Sequence, residues 1–217
     1  MKSIIAPILV LLVLIFNAQA AMAREPYWEQ HQIELSGLTE HQMLVLESTI
    51  EQLRLLEPGK LKIDKRLYKR LSRFKELFGF SFNGRDLTRW LLNRIRSISY
   101  HNSWTAAVNQ RQGDFFVGDF FFTKISPLER LYALIHEARH SDNDGYEHVQ
   151  CPKGFKYVSS RQADLDLEKI SACDGSSDGA YAFQAAFLFE LFAYGIFEQN
   201  EVGLLYNSSI SRVIPRG

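Results

Sequence analysis

His136-Glu137-Ala138-Arg139-His140 is the stretch of this chain whose residue types and spacing can do chemistry. Positions i and i+4 share one face of a helix, so two imidazoles placed there reach one ion. Zinc accepts neutral imidazoles readily and leaves a coordination position for water or substrate. An ion so held lowers the pKa of water, and Glu137, beside both ligands, is the group to take the proton. By composition alone such a match would arise in about one chain of this size in a hundred, so its setting has to carry the rest.

That setting is favourable. Ser126-Pro127-Leu128-Glu129 reads as a helix start, with Ser126 as cap, Pro127 at the first helical position and Glu129 closing a capping box. Leu128, Leu131, Tyr132, Leu134 and Ile135 lead into the motif, and the helix should end near Ser141. The preceding segment, Ser97 to Thr123, is rich in aromatic and β-branched residues between Asn, Gly and Asp punctuation. It predicts strands, with turns near Gln112-Gly113-Asp114 and Gly118-Asp119.

A third ligand is needed. His148 lies eight residues after His140, with Gly145 available to reverse the chain. Asp174 and Glu190 are further carboxylate candidates, although Glu190 reads equally as a buried, paired carboxylate. A calcium loop over 142–145 is excluded, because that register would put His140 at its first position and Cys151 at its twelfth.

The motif on a helix that follows strands resembles the zincin metallopeptidases, over about Phe115 to Tyr181. The resemblance implies zinc on the two histidines and substrate along an edge strand, here Phe115–Phe122. Gly145-Tyr146-Glu147-His148 is similar to the G-x-x-H ending of the metzincin motif, with two more residues ahead of the Gly. Gly175-Ser176-Ser177-Asp178-Gly179-Ala180-Tyr181-Ala182 is similar to the aspzincin G-T-x-D-x-x-Y-G motif, with Ser for Thr and Ala for the last Gly. The first likeness implies His148 as third ligand. The second implies Asp178 as the alternative and Tyr181 as the group that steadies the oxyanion, a role open also to Tyr146. Asp178 reads otherwise as a helix cap, and Arg139 as a surface or salt-bridging residue.

Other elements must frame this site. Helices are predicted over Thr39–Glu57, from Asp64 through Phe78 to a stop at Gly79, and from Asp86. A last, almost wholly apolar helix is predicted over about Asp178–Phe197, buried rather than membrane-spanning, since Glu190 lies inside it. From Lys60 to Arg96 there are twelve Lys or Arg against three acidic residues, read as a solvated face balanced by acids elsewhere. The chain as a whole has zero formal charge, so no global field favours nucleic acid.

Met1-Lys2, the apolar run Ile4–Phe16 and the small-residue sites Ala18-Gln19-Ala20 and Ala21-Met22-Ala23 read as a signal peptide over 1–23. The mature part, 24–217, is expected to be one domain without a stable membrane span, periplasmic or secreted. Cys151 and Cys173 are then expected to form a disulfide, worth about 3 kcal/mol in the chain-entropy model. The fold expected is α+β and helix-rich, zincin-like, with a small sheet ahead of the metal-binding helix. The function expected is zinc-dependent hydrolysis of a peptide or protein substrate, the other reading being a zinc-stabilised envelope binding or assembly protein without turnover.

Overall fold

The computed structural model describes residues 25–102, 106–142, 147–159 and 162–214. The expected signal peptide and residues 143–146, which include Gly145 and Tyr146, lie outside them. The described chain is α+β, with a four-stranded mixed sheet and two two-stranded ribbons.

A short helix α1 (Tyr27–Gln30) and strand β1 (Glu34–Ser36) precede α2 (Glu40–Arg54). Thr39 caps α2 through a complete capping box with Gln42, which satisfies two backbone donors at the helix start. The one helix expected from Asp64 to Phe78 is two, α3 (Lys65–Leu71) and α4 (Phe74–Phe78). Asp64 caps the first, and the break follows from tertiary bonds: Ser72 donates to Glu190 and Arg73 to the Ser177 carbonyl. Gly79 ends α4 at φ 82°, the left-handed cap glycine supplies without strain. α5 (Gly84–Leu92) starts from an Asn83 cap rather than at Asp86. Four of the twelve basic residues here are paired, Arg73 with Glu76, Arg89 with Asp86, Arg94 with Asp142 and Arg96 with Asp114.

The main sheet contains β2 (Ser97–Tyr100), β3 (Ala107–Arg111) and β4 (Asp114–Val117), in the order β1-β2-β4-β3. β1, β2 and β4 run parallel, and β3 pairs antiparallel with β4 at the edge. The strand expected through Phe122 therefore needs correcting twice. β4 is an interior strand, its Phe115 and Val117 fully buried. Residues Asp119–Thr123 form a helical turn, α6. Phe121 and Phe122 are adjacent and both buried, which a strand with one face to the core cannot arrange.

α7 (Pro127–Arg139) carries the His-Glu motif, with the Ser126–Glu129 capping box in place and His140 as its C-cap. It packs on α8 (Ala180–Tyr194), whose residues 182–191 are all buried. α8 starts two residues later than Asp178, and α9 (Gln199–Ile210) follows it. No helix among the described residues is long and apolar enough to cross a membrane.

Between α7 and α8 the chain makes a ribbon of β5 (His148–Gln150) with β8 (Ser171–Asp174), and another of β6 (Tyr157–Ser159) with β7 (Gln162–Leu165). The expected Cys151–Cys173 disulfide is formed. It anchors a small satellite core with Tyr157 and Leu167. A lone two-stranded ribbon is marginal in water, so this staple compensates for the ribbon's separation from the main sheet.

Candidate metal centre

α7 presents His136 and His140 on one face, and β5 brings His148 to meet them. His136 Nε2 lies 3.1 Å from His148 Nε2 and 3.3 Å from His140 Nε2. Two nitrogens bound tetrahedrally to zinc at about 2.0–2.1 Å would lie about 3.3–3.4 Å apart. The three imidazoles thus form a group that could hold a metal ion. Asp178, Asp174 and Glu190 do not belong to it.

Protonation favours a cation at the centre. Burial holds His136 well below the ordinary imidazole range, with help from its two neighbours. Burial likewise pushes His148 down to about 4. Both rings are neutral at pH 7, so each keeps a lone pair. His136 Nδ1–H donates to Gln184 Oε1 at 2.9 Å, which fixes the tautomer and leaves its Nε2 lone pair facing the other two rings. That single lone pair cannot satisfy both of its close neighbours as an acceptor, whereas a cation satisfies all three.

His148 is backed by Asp174. It is in register with Asp174 across the ribbon, and its Nδ1 lies 3.7 Å from Asp174 Oδ1. That is too long for a hydrogen bond, and both atoms are buried without a hydrogen-bond partner among the described residues. Asp174 Oδ2 accepts the Ala182 N–H at 2.9 Å. Asp174, and not Asp178, is therefore the carboxylate that serves the first turn of α8. Gly179 makes room for it, since a Cβ there would overlap the Asp174 carboxylate. Burial raises the Asp174 carboxyl to about 6, against the lowering effect of the Ala182 and Tyr181 N–H groups.

Asp178 faces elsewhere. Its carboxylate is 3.6 Å from the Arg139 guanidinium, and its carbonyl accepts from Arg139 Nε. Arg139 is buried rather than on the surface, and it also pairs with Asp142 and covers the Phe183 ring. Its salt-bridging role stands. It pins the loop ahead of α8 to the motif helix. Glu190 accepts from Tyr68 and Ser72, well along α8 from the histidines.

Glu137 points toward the edge strand. Its Oε2 accepts the Asn109 N–H of β3 at 2.8 Å, and Asn109 Nδ2 donates to the Glu137 carbonyl and to Ser141 Oγ. Burial pushes its carboxyl up to about 8, opposed by the Asn109 bond. Tyr181 packs on the imidazoles, stacked at 4.9 Å on His148 and edge-on at 4.5 Å to His136. Its hydroxyl accepts from Arg212 Nη1 at 2.5 Å.

Sequence reasoning gave Gln184, Asn109 and Arg212 no part in the site, and gave Asp174 only as a possible ligand. Gln184 did leave a signal: it is polar in an apolar helix and lies three residues from Tyr181, on the same face. Comparison with models of known protein families, with curated proteins and with solved structures finds no match to this chain.

Proposed function

We propose that the chain is an exported zinc-dependent hydrolase of zincin type, acting on a peptide or protein substrate. The observation that carries this reading is the convergence of three imidazoles, with His136 Nε2 at tetrahedral spacing from both His140 Nε2 and His148 Nε2, and a carboxylate on the same helix turn. His136, His140 and His148 would hold the ion. Among the described residues the group offers three ligands, which leaves a position open, as catalytic sites do. Zinc held there would supply Lewis acidity and an acidified water.

The protein's own groups do the rest. Glu137, as the ionised carboxylate, accepts the proton from the attacking water and returns it to the leaving amine. Asn109 holds that carboxylate against β3 and so ties the base to the edge strand of the sheet. An extended peptide laid along β3 would pass the base, which moves the expected substrate strand from Phe115–Phe122 to Ala107–Arg111. Tyr181 donates its hydroxyl proton to the developing oxyanion.

The test is hydrolysis of an unstructured peptide mixture by purified protein, followed by mass spectrometry. Cleavage should stop on chelation and in Glu137→Gln, which keeps the acceptor for Asn109 N–H and should keep its metal. A Glu137→Gln variant that cleaves as well as wild type rules out this mechanism.

A further inference from the structure

Arg212 is a cation beside the histidine cluster with no anionic partner among the described residues. Its backbone is fixed: the Asp174 N–H donates to the Arg212 carbonyl, and Val213 bridges to Asp174. The side chain crosses to the first turn of α8, where Nη1 donates to Tyr181 Oη and Cζ lies 4.8 Å from the Tyr181 ring centre. The half-buried guanidinium has five N–H donors. Its Nε is buried with no hydrogen-bond partner, and among the described residues no carboxylate lies within ion-pair distance.

Other arginines in the fold are treated differently. Arg94 and Arg139 share the Asp142 carboxylate, and Arg130 is satisfied by the carbonyls of Phe121, Phe122 and Ile125. A guanidinium taken partly out of water without such partners is costly. Here it is bonded to Tyr181, whose ring lies against His136 and His148. A divalent ion on three neutral imidazoles would add to the positive field. The missing partner is an anion that arrives with the ligand.

We propose that Arg212 is the receptor for a carboxylate on the substrate, presented beside the bond that reacts at the metal. A carboxylate fits better than a phosphate. One guanidinium offers a planar, bidentate fork matched to a single carboxylate. The other anion-binding resource nearby, the N-terminal amides of α8, is already taken by Asp174. Because Arg212 Nη1 donates to Tyr181 Oη, the phenolic proton is directed away from Arg212 and stays available for an oxyanion. The assignment makes the substrate class acidic at this subsite: a peptide with a free C-terminal carboxylate, or with an Asp or Glu side chain there.

This inference rests on the metallohydrolase reading, and the test separates the two. Zinc-loaded Glu137→Gln protein, which cannot turn over, is titrated by calorimetry with three probes. They are N-acetylated oligoalanine with a free C-terminus, its C-terminal amide, and the amide carrying one Glu. The acid or the Glu-bearing amide should bind about tenfold tighter than the plain amide, as a charge-assisted bond implies. Which of the two binds tighter identifies the source of the carboxylate. In the added Arg212→Met background the preference should fall to within about twofold, and Arg212→Lys should restore part of it. Metal content, measured on every variant, should not change; a chain that binds no zinc removes the metal reading on its own. Equal binding of all three probes, no binding of any at millimolar concentration, or a preference that survives Arg212→Met overturns the inference. Inorganic phosphate that displaces the acid probe at lower concentration than acetate does overturns the carboxylate assignment.

Discussion

His148 and Asp174 face each other across a two-stranded ribbon, in register, with imidazole Nδ1 3.7 Å from carboxylate Oδ1. The other oxygen of that carboxylate accepts the Ala182 N–H at the start of α8. One side chain therefore lies behind an imidazole of the cluster and secures the helix that carries Tyr181 and Gln184.

Asp174→Asn separates these duties. Asparagine keeps an oxygen for the Ala182 N–H but loses the charge behind His148. Metal affinity should fall about 10–100-fold, as for other groups that orient a ligand, with little change in the melting of metal-free protein. Asp174→Ala should lose the helix bond as well, at a further cost of about 1 kcal/mol. Gly179→Ala should act in the same direction, because its Cβ would displace the carboxylate. Competition with a chromophoric chelator reads the affinity, and an Asn variant that binds like wild type contradicts the role.

The disulfide should be coupled to the metal. Cys173 is in register with Val149, the neighbour of His148, and is bonded to Cys151 on the same strand end. Reduction, or the Cys151→Ala/Cys173→Ala pair, should cost about 3 kcal/mol of stability and weaken metal binding. By reciprocity, bound metal should protect the disulfide from reduction. Thiol release by dithiothreitol, timed with and without zinc, checks this, and identical rates would count against the coupling.

Glu190 gives the chain a pH dependence unrelated to the histidines. Burial holds its carboxyl above the ordinary range, outweighing the bonds from Ser72 and Tyr68. The folded chain therefore keeps a proton that the unfolded chain has lost. This contribution is fully present below the unfolded pKa and is lost as pH rises through the folded one. Glu190→Gln, which retains polar partners for Tyr68 and Ser72, should melt higher than wild type at pH 8 and no higher at pH 4. Each kcal/mol corresponds to about 2–4 °C in a chain this size. Melting curves at the two pH values decide it, and an equal shift at both would show that titration is not the cause.

Much of the site was legible because its signals are local. Two histidines one helical turn apart, a capping box at Ser126 and a cysteine pair in one segment each have a mechanism readable over a few residues. The parts that escaped depend on tertiary contact. Phe120 to Phe122 have no period to separate strand from helix, and the burial of the adjacent Phe121 and Phe122 decided it. Nothing near Asp64–Phe78 announces that Ser72 will bond Glu190 from α8 and break the helix. Asp178 carries the local look of a cap, yet Asp174 takes that place because ribbon register brings it under the helix. Arg212 is an ordinary basic residue near the chain's end until the Val213–Asp174 bridge sets it beside Tyr181.

The central claim is tested most directly by the metal content of protein purified without added metal, read by elemental analysis across four alanine variants. Wild type should carry about one transition-metal ion per chain, zinc by ligand type. His136→Ala, His140→Ala and His148→Ala should each lose it, and Asp178→Ala, whose carboxylate faces Arg139, should retain it. A wild-type chain free of metal, or an Asp178→Ala variant that loses its ion while His148→Ala keeps it, would contradict the three-histidine centre.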